Sequence, residues 1–272
     1  LLGGLFGGQR ENSADTAWTH PFINDGWDNV PAWGHLDEEN IWWRRMTTLL
    51  RRAAVDAPGN YLVCTPDLGG TADALITLRG STSLSLDLLD RPDDVHEAVE
   101  QIYYAWRQGF IELFRSTVGL GAGMIHVFGI WSNSPHSYMA CDFNALISPQ
   151  HFREFFLPDI ARQSATTRRS YFHLDGPGAT RQVDQLLEVP NLQGIQFTPG
   201  AGTDSALVWV DMFRTIQASG RSLLVYCPAD EVLALCDALD PAGLAIIVDD
   251  AGTPHELDRL YAAFCRRYGC EP

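Results

Sequence analysis

The chain has 272 residues, of which 46% are hydrophobic and 19% charged, and its formal net charge is −15. This composition is typical of a globular protein with a large core, and the negative charge argues against nucleic acid or an anionic membrane as a partner. All 19 basic residues are arginine, so chemistry that needs a lysine Schiff base is excluded within this sequence.

Residues 1–59 are irregular and rich in Trp, Asn, Asp and Gly, and they end in an amphipathic helix with the sequence NIWWRRMTTLLRRAA. From residue 60 to 272, short apolar runs alternate with helical stretches. The runs predicted as strands are YLVCTPD, GMIHVFGIW, SYFHLD, LQGIQFTPG, SLLVYCPAD and LAIIVDDAGTP. Ser148 and Thr253 each precede a proline and predict helix starts, while Gly220 and Gly269 predict helix ends.

Six consecutive strand–helix units predict an α/β protein with a parallel sheet and right-handed crossovers. A doubly wound sheet would carry a GxGxxG motif after its first strand, and no predicted strand is followed by one. We therefore predict a (β/α)₈ TIM barrel forming a single domain over residues 1–272. We expect the missing units to come from the irregular opening and from an N-terminal part that precedes residue 1. No apolar stretch has the ~20 residues of a membrane helix, and we expect a cytoplasmic protein.

Active sites of such barrels lie at the carboxyl ends of the strands. The polar and aromatic residues that the predicted strands bring there, together with those of the loop SYMACDF, include Asp67, Trp131, Tyr138, Asp142, His173, Asp175, Gln196, Phe197, Tyr226, Asp249 and Asp250. The carboxylates could serve as acid–base groups or metal ligands, and the alternative for Asp67 and Asp142 is that they cap helices. We place Trp131, Tyr138, Gln196, Phe197 and Tyr226 against a substrate.

His173 and Asp175 stand two positions apart in a predicted strand, so their side chains point to the same side of the sheet. Two functions fit this pair: joint coordination of a divalent metal, or a histidine acid–base with a carboxylate partner. The alternative is a histidine that only bonds loop carbonyl groups. His126, which lies within an apolar strand, is expected to be a hydrogen-bonded wall residue.

Four segments of the chain resemble the uroporphyrinogen decarboxylase superfamily, which includes the decarboxylase and cobalamin-linked methyltransferases. They are YLVCTPDLGGTADALITLRGSTSLSLDLLDRPDDV, DFNALISPQHFREFFLPDI, YFHLDGPGATRQVDQLLEVPNLQGIQFTPGAG and AIIVDDAGTPHELDRL. The resemblance extends from about residue 60 to the end of the chain and implies a (β/α)₈ barrel.

The resemblance also implies a metal site, with one departure. In the thiol methyltransferases of the superfamily, zinc is held by an H-x-C motif and a later cysteine. His173 matches the histidine, but Asp175 takes the place of the first cysteine, and Asp249 or Asp250 that of the second. A His/Asp/Asp set is harder than His/Cys/Cys and favours polarisation of oxygen over binding of thiolate.

We expect an enzyme that transfers or removes a methyl group on a small substrate, centred on His173, Asp175, Asp142 and Asp67. A corrinoid would be the methyl donor, a corrinoid protein a partner, and a homodimer the assembly. One alternative is uroporphyrinogen decarboxylase, a carboxy-lyase of porphyrin biosynthesis. Another is a non-catalytic barrel that binds a small ligand or a corrinoid.

Overall fold

The computed structural model describes residues 2–12, 17–24, 26–27, 33–200, 205–249 and 252–270. Within these ranges the strands are β1 (Gln9–Asn12), β2 (Ala17–His20), β3 (Met124–Ile125), β4 (Trp131–Ser132), β5 (His136–Ala140), β6 (Arg169–Asp175), β7 (Gly194–Thr198), β8 (Ser222–Cys227) and β9 (Leu244–Val248). The α-helices are α1 (Leu2–Leu5), α2 (Ile41–Asp56), α3 (Thr71–Arg79), α4 (Ser81–Asp90), α5 (Pro92–Ser116), α6 (Pro149–His151), α7 (Leu157–Thr166), α8 (Gly176–Ala179), α9 (Val183–Leu187), α10 (Val210–Ala218), α11 (Val232–Ala238) and α12 (Pro254–Tyr268). A π-helical turn at Phe152–Phe156 joins α6 to α7, and 3₁₀ turns lie at Val118–Leu120, Asp142–Ala145, Thr180–Gln182 and Leu207–Trp209.

Strands β5 to β9 form a parallel sheet in which each strand pairs with the next one along the chain. A doubly wound sheet reverses its strand order at a switch point, and this sheet has no such reversal. Among the described residues β5 and β9 form the two edges, and the strands do not close into a ring. The protein is therefore an α/β protein with an open five-stranded parallel sheet in the described part, and the predicted closed barrel is not found there.

The segment between residues 123 and 131 differs from the predicted single strand. It contains a chain reversal at Gly129, whose φ is +74° and whose N–H donates to the carbonyl group of His126 at 2.9 Å. β3 and β4 consequently pair antiparallel on either side of this turn. The first predicted strand, YLVCTPD, is likewise reduced to one bridge between Cys64 and Ile125. In contrast, β5 covers His136–Ala140 and so includes the first residues of the segment SYMACDF, where we predicted a loop.

The two faces of the parallel sheet differ in chemistry because alternate side chains point to opposite sides. One face, the helix face, packs into the main hydrophobic core through Met139, Phe172, Leu174, Phe197 and Val225. The other, the site face, carries Tyr138, Tyr171, His173, Gln196 and Tyr226. The strand register pairs Tyr138 with Tyr171 and His173 with Gln196. The sheet thus buries apolar residues on one side and presents polar and aromatic groups on the other.

The helix boundaries that we predicted from capping residues are confirmed. Ser148 accepts a hydrogen bond from the N–H of His151 at 3.1 Å, and Thr253 forms a reciprocal capping box with Glu256. Gly269 ends α12 in the left-handed conformation that favours glycine, with φ of +73°.

In the described ranges no helix is both long and apolar enough to cross a bilayer.

Candidate functional site

Three potential metal ligands meet at the carboxyl ends of β5 and β6. The ligand atoms of Asp142, His173 and Asp175 all lie within 4.8 Å of one another. His173 and Asp175 share a side of β6, as their spacing predicts, and Asp142 follows β5, whose Ala140 is the register partner of His173. The carboxylate of Asp175 precedes α8 but makes no capping hydrogen bond to it. These three residues are referred to below as the ligand cluster.

The environment of His173 determines which ring nitrogen is free. The Nε2 of Gln196 donates to the hydroxyl group of Thr198 at 2.8 Å, so the Oε1 of Gln196 accepts from the Nδ1–H of His173. The neutral ring therefore has its lone pair on Nε2, which lies 4.0 Å from a carboxylate oxygen of Asp142. A buried partner of this kind fixes both the tautomer and the ring orientation of a metal-binding histidine.

Asp142 is positioned by a neighbouring helix. Its backbone N–H donates to the carboxylate of Asp73, in the first turn of α3, at 2.8 Å. The approach of α3 is close at Gly70, where a Cβ atom would lie 1.9 Å from the carbonyl oxygen of Ala140. Glycine is therefore required at position 70 for α3 to reach the end of β5.

Two carboxyl groups at the site, those of Asp73 and Asp142, have raised pKa values. Burial raises the pKa of Asp73 to about 7, with a further contribution from the charge of Asp142. Loss of surrounding water is also the main cause that raises the pKa of Asp142, and the charge of Asp175 adds to this shift. A bound cation would relieve this crowding of negative charge.

The ligand cluster opens onto a cavity of about 710 Å³, within the range of small-molecule sites. Its acidic lining includes Asp67, Asp73 and Asp142, and α1 forms part of its wall. No arginine is found among the described residues that line it. The described lining of the cavity is therefore acidic, and His173 is part of it.

An aromatic wall adjoins His173. The ring of Phe128 stacks on the imidazole with centroids 4.7 Å apart, and Tyr138 contacts both rings. The hydroxyl group of Tyr138 hydrogen-bonds Asp67, and burial is the main cause that raises its pKa. Gln196 and Tyr226, which we predicted to bind substrate, also lie on the site face. Gln196 is fully buried, and its side chain hydrogen-bonds His173 instead of facing a substrate. Tyr138 was predicted at this site, whereas Phe128 was not among the predicted site residues.

His126 is a wall residue, as predicted. It is buried, its Nε2 donates to the carbonyl group of His136 at 3.0 Å, and its Nδ1 lies 2.8 Å from the hydroxyl group of Thr65. Both ring nitrogens are therefore engaged, and His126 is not free to bind a ligand.

Two residues that we placed in the substrate wall lie elsewhere. Trp131 follows the reversal at Gly129, and this turn carries it to a cavity at the opposite, amino-terminal end of the strands. Phe197 is fully buried on the helix face, 5.4 Å from Phe213 between ring centroids. The reason is alternation: Phe197 is adjacent to Gln196 in β7 and so points the other way.

The predicted third metal ligand is also corrected. Asp249 follows β9, three strands from β6, and three strand spacings amount to roughly 14 Å. It is exposed and is not part of the ligand cluster, where Asp142 takes the third position. Asp250 lies outside the described residues. Asp73 was missed because it stands in a helix, where no strand-end signal marks it.

No model of a known protein family matches the chain, and a search of curated proteins finds no significant match.

Proposed function

We propose that this protein is a metal-dependent enzyme that transfers or removes a methyl group on a small substrate, within an eight-stranded barrel fold. The observation that carries the proposal is the ligand cluster, with three donor atoms within 4.8 Å at the carboxyl edge of a sequentially wound parallel sheet. The resemblance to the uroporphyrinogen decarboxylase superfamily supports the reaction class.

The residues fit a divalent metal such as zinc. His173 offers an unprotonated Nε2, and Asp142 and Asp175 offer carboxylate oxygens. Ligands of a tetrahedral ion lie ~3.4 Å apart, and the side chain of Asp142, which is 58% exposed, has the freedom to close the present 4.0 Å gap. A bound ion of this type would act as a Lewis acid toward a substrate oxygen, as the hard donor set favours.

The chain's own residues have separate tasks in this proposal. Gln196 keeps the proton of His173 on Nδ1, so that Nε2 stays directed at the ligand cluster. Asp73 holds the backbone of Asp142 in place and, with its raised pKa, can hold or release a proton at the cavity wall. Phe128 shields one face of the imidazole from water.

The charge of the cavity argues against a porphyrinogen substrate. A substrate with many carboxylates needs positive side chains, and the described lining carries Asp67, Asp73 and Asp142 without an arginine. We therefore favour methyl transfer over decarboxylation. A corrinoid methyl donor, a corrinoid protein partner and a homodimer belong to the same proposal.

Metal binding tests the proposal directly. Elemental analysis of the purified protein should give about one zinc or similar ion per chain, and calorimetric titration of metal-free protein with Zn²⁺ should give one site. Asp175→Asn should weaken this site by at least about tenfold, since it removes a charged ligand. Asp249→Asn is the matched control, because it neutralises an exposed aspartate outside the ligand cluster.

Turnover is tested with methylcobalamin, whose absorbance changes when it loses its methyl group. We expect demethylation in the presence of phenolic or thiol acceptors, and we expect His173→Ala to abolish it while the circular dichroism spectrum is unchanged. A metal-free protein that binds the corrinoid without turnover would instead indicate a non-catalytic barrel. Consumption of uroporphyrinogen would indicate the decarboxylase. Full activity of His173→Ala would refute the assignment of the site.

A further inference from the structure

A second cavity, of about 400 Å³, lies on the site face at the opposite end of the sheet. It is formed where β6, β7, β8 and β9 begin, and β4 contributes Trp131 to its rim. The ligand cluster lies at the carboxyl ends of the strands, and none of its residues lines this second cavity. The two cavities are therefore separate.

Trp131 is held as a rigid platform at the rim. Its ring lies directly over Gly123, where a Cβ atom would come within 2.5 Å of the indole Nε1, and the φ of Gly123 is +73°. One side of the ring thus packs on backbone, while the residue remains 47% exposed. A fixed and exposed indole ring in a cavity is well suited to stack on a planar aromatic ligand. Ile130 and Leu224 add apolar wall beside it.

Arg169, at the start of β6, supplies positive charge to the same cavity. The residue is exposed, and its guanidinium group forms no hydrogen bond or ion pair with any residue that the structure describes. This is notable in a chain with a net charge of −15, in which acidic groups outnumber arginines. A free guanidinium fork matches the geometry of a carboxylate.

The ring of Tyr171 lines the same cavity and is 6% exposed. It adds a buried aromatic surface to the wall that Ile130 and Leu224 form. An aromatic and apolar wall of this kind favours a planar apolar ligand.

We propose that this second cavity binds a small aromatic carboxylate, with its ring on Trp131 and its carboxylate on Arg169. The volume accommodates one or two fused rings, and a single arginine balances a single negative charge. This inference is independent of the methyl-transfer proposal, since it uses no residue of the ligand cluster.

Calorimetric titration with 2-naphthoate, and with the neutral 2-naphthamide of nearly the same shape, tests the proposal on the full chain. We expect one 2-naphthoate site per chain. Arg169→Gln should weaken 2-naphthoate about tenfold and leave 2-naphthamide unchanged, because only the charged pair is lost. Arg168→Gln, an exposed neighbour that does not line the cavity, should change neither. Trp131→Leu should weaken both probes.

Two further variants keep the test independent of folding and of the first site. Ala245→Phe leaves Trp131 intact and places a ring in the cavity from exposed position 245, so it should abolish binding of both probes. Asp175→Asn, in the ligand cluster, should leave both affinities unchanged. The proposal is overturned if 2-naphthoate shows no saturable binding, if Arg168→Gln and Arg169→Gln behave alike, or if Asp175→Asn alone removes binding.

Discussion

Replacing Gly70 by alanine tests how tightly α3 is docked against β5. The new Cβ would lie 1.9 Å from the carbonyl oxygen of Ala140, roughly 1.4 Å short of the ~3.3 Å at which carbon and oxygen touch. The obstacle is the backbone of β5, so no side-chain rotation can relieve the overlap. The φ of Gly70 is −81°, which alanine adopts freely. Backbone strain therefore does not contribute, and the substitution tests the steric clash alone.

We expect Gly70→Ala to lower the free energy of unfolding by about 3 kcal/mol, the upper part of the range for overpacking, with a few tenths more from the weaker helix cap. For a chain of this size such a loss lowers the melting temperature by about 6–12 °C. Since a displaced α3 carries Asp73 away from Asp142, Zn²⁺ affinity should fall as well.

Urea denaturation and thermal melting measure the first effect, and calorimetry with Zn²⁺ the second. Gly119→Ala is the matched control: a Cβ there meets only the carbonyl oxygen of Phe114 at an ordinary 3.8 Å, and its stability should change by less than about 0.5 kcal/mol. Equal stability of Gly70→Ala and Gly119→Ala would refute the close approach of α3 to β5.

Three other substitutions test the site and the buried titratable groups. Gln196→Leu should reduce Zn²⁺ affinity by about tenfold to a hundredfold in calorimetry, because the Nδ1–H of His173 loses its acceptor. Burial raises the pKa of Asp159 to about 6, so the folded state retains a proton that the unfolded chain releases near pH 4. Stability is therefore lost as pH rises from about 4 to 6, by up to about 3 kcal/mol, and Asp159→Asn should remove that loss in urea titrations at pH 4 and 7. Burial lowers the pKa of His126 to about 4, so stability is lost in the opposite direction, as pH falls from about 6.5 to 4, and His126→Gln should lessen this loss by up to about 3 kcal/mol.

Each of these has an outcome that would contradict it. Unchanged Zn²⁺ affinity in Gln196→Leu would show that the amide does not hold the imidazole, and Gln193→Leu, at an exposed glutamine outside the cluster, is its control. For Asp159 and His126, stability curves that stay parallel to those of the unmodified protein across the stated pH ranges would show that burial does not shift these groups.

The sequence alone determined those features that depend on neighbours along the chain. Strands β6 to β9 and the caps at Ser148 and Thr253 follow from local periodicity and hydrogen-bonding preference. The placement of His173 and Asp175 on one side follows from the two-residue repeat of a strand, which no tertiary contact can alter within a regular strand.

Only the tertiary structure decided which distant groups join that pair. Asp142 reaches the ligand cluster because β5 is adjacent to β6, whereas Asp249 follows a strand at the far edge. Strand order depends on pairing between segments far apart in the chain, and residue spacing carries no record of it. The turn at Gly129 likewise places Trp131 at the opposite end of the sheet. After this turn the chain runs in the reverse direction, and β4 therefore lies antiparallel to β3.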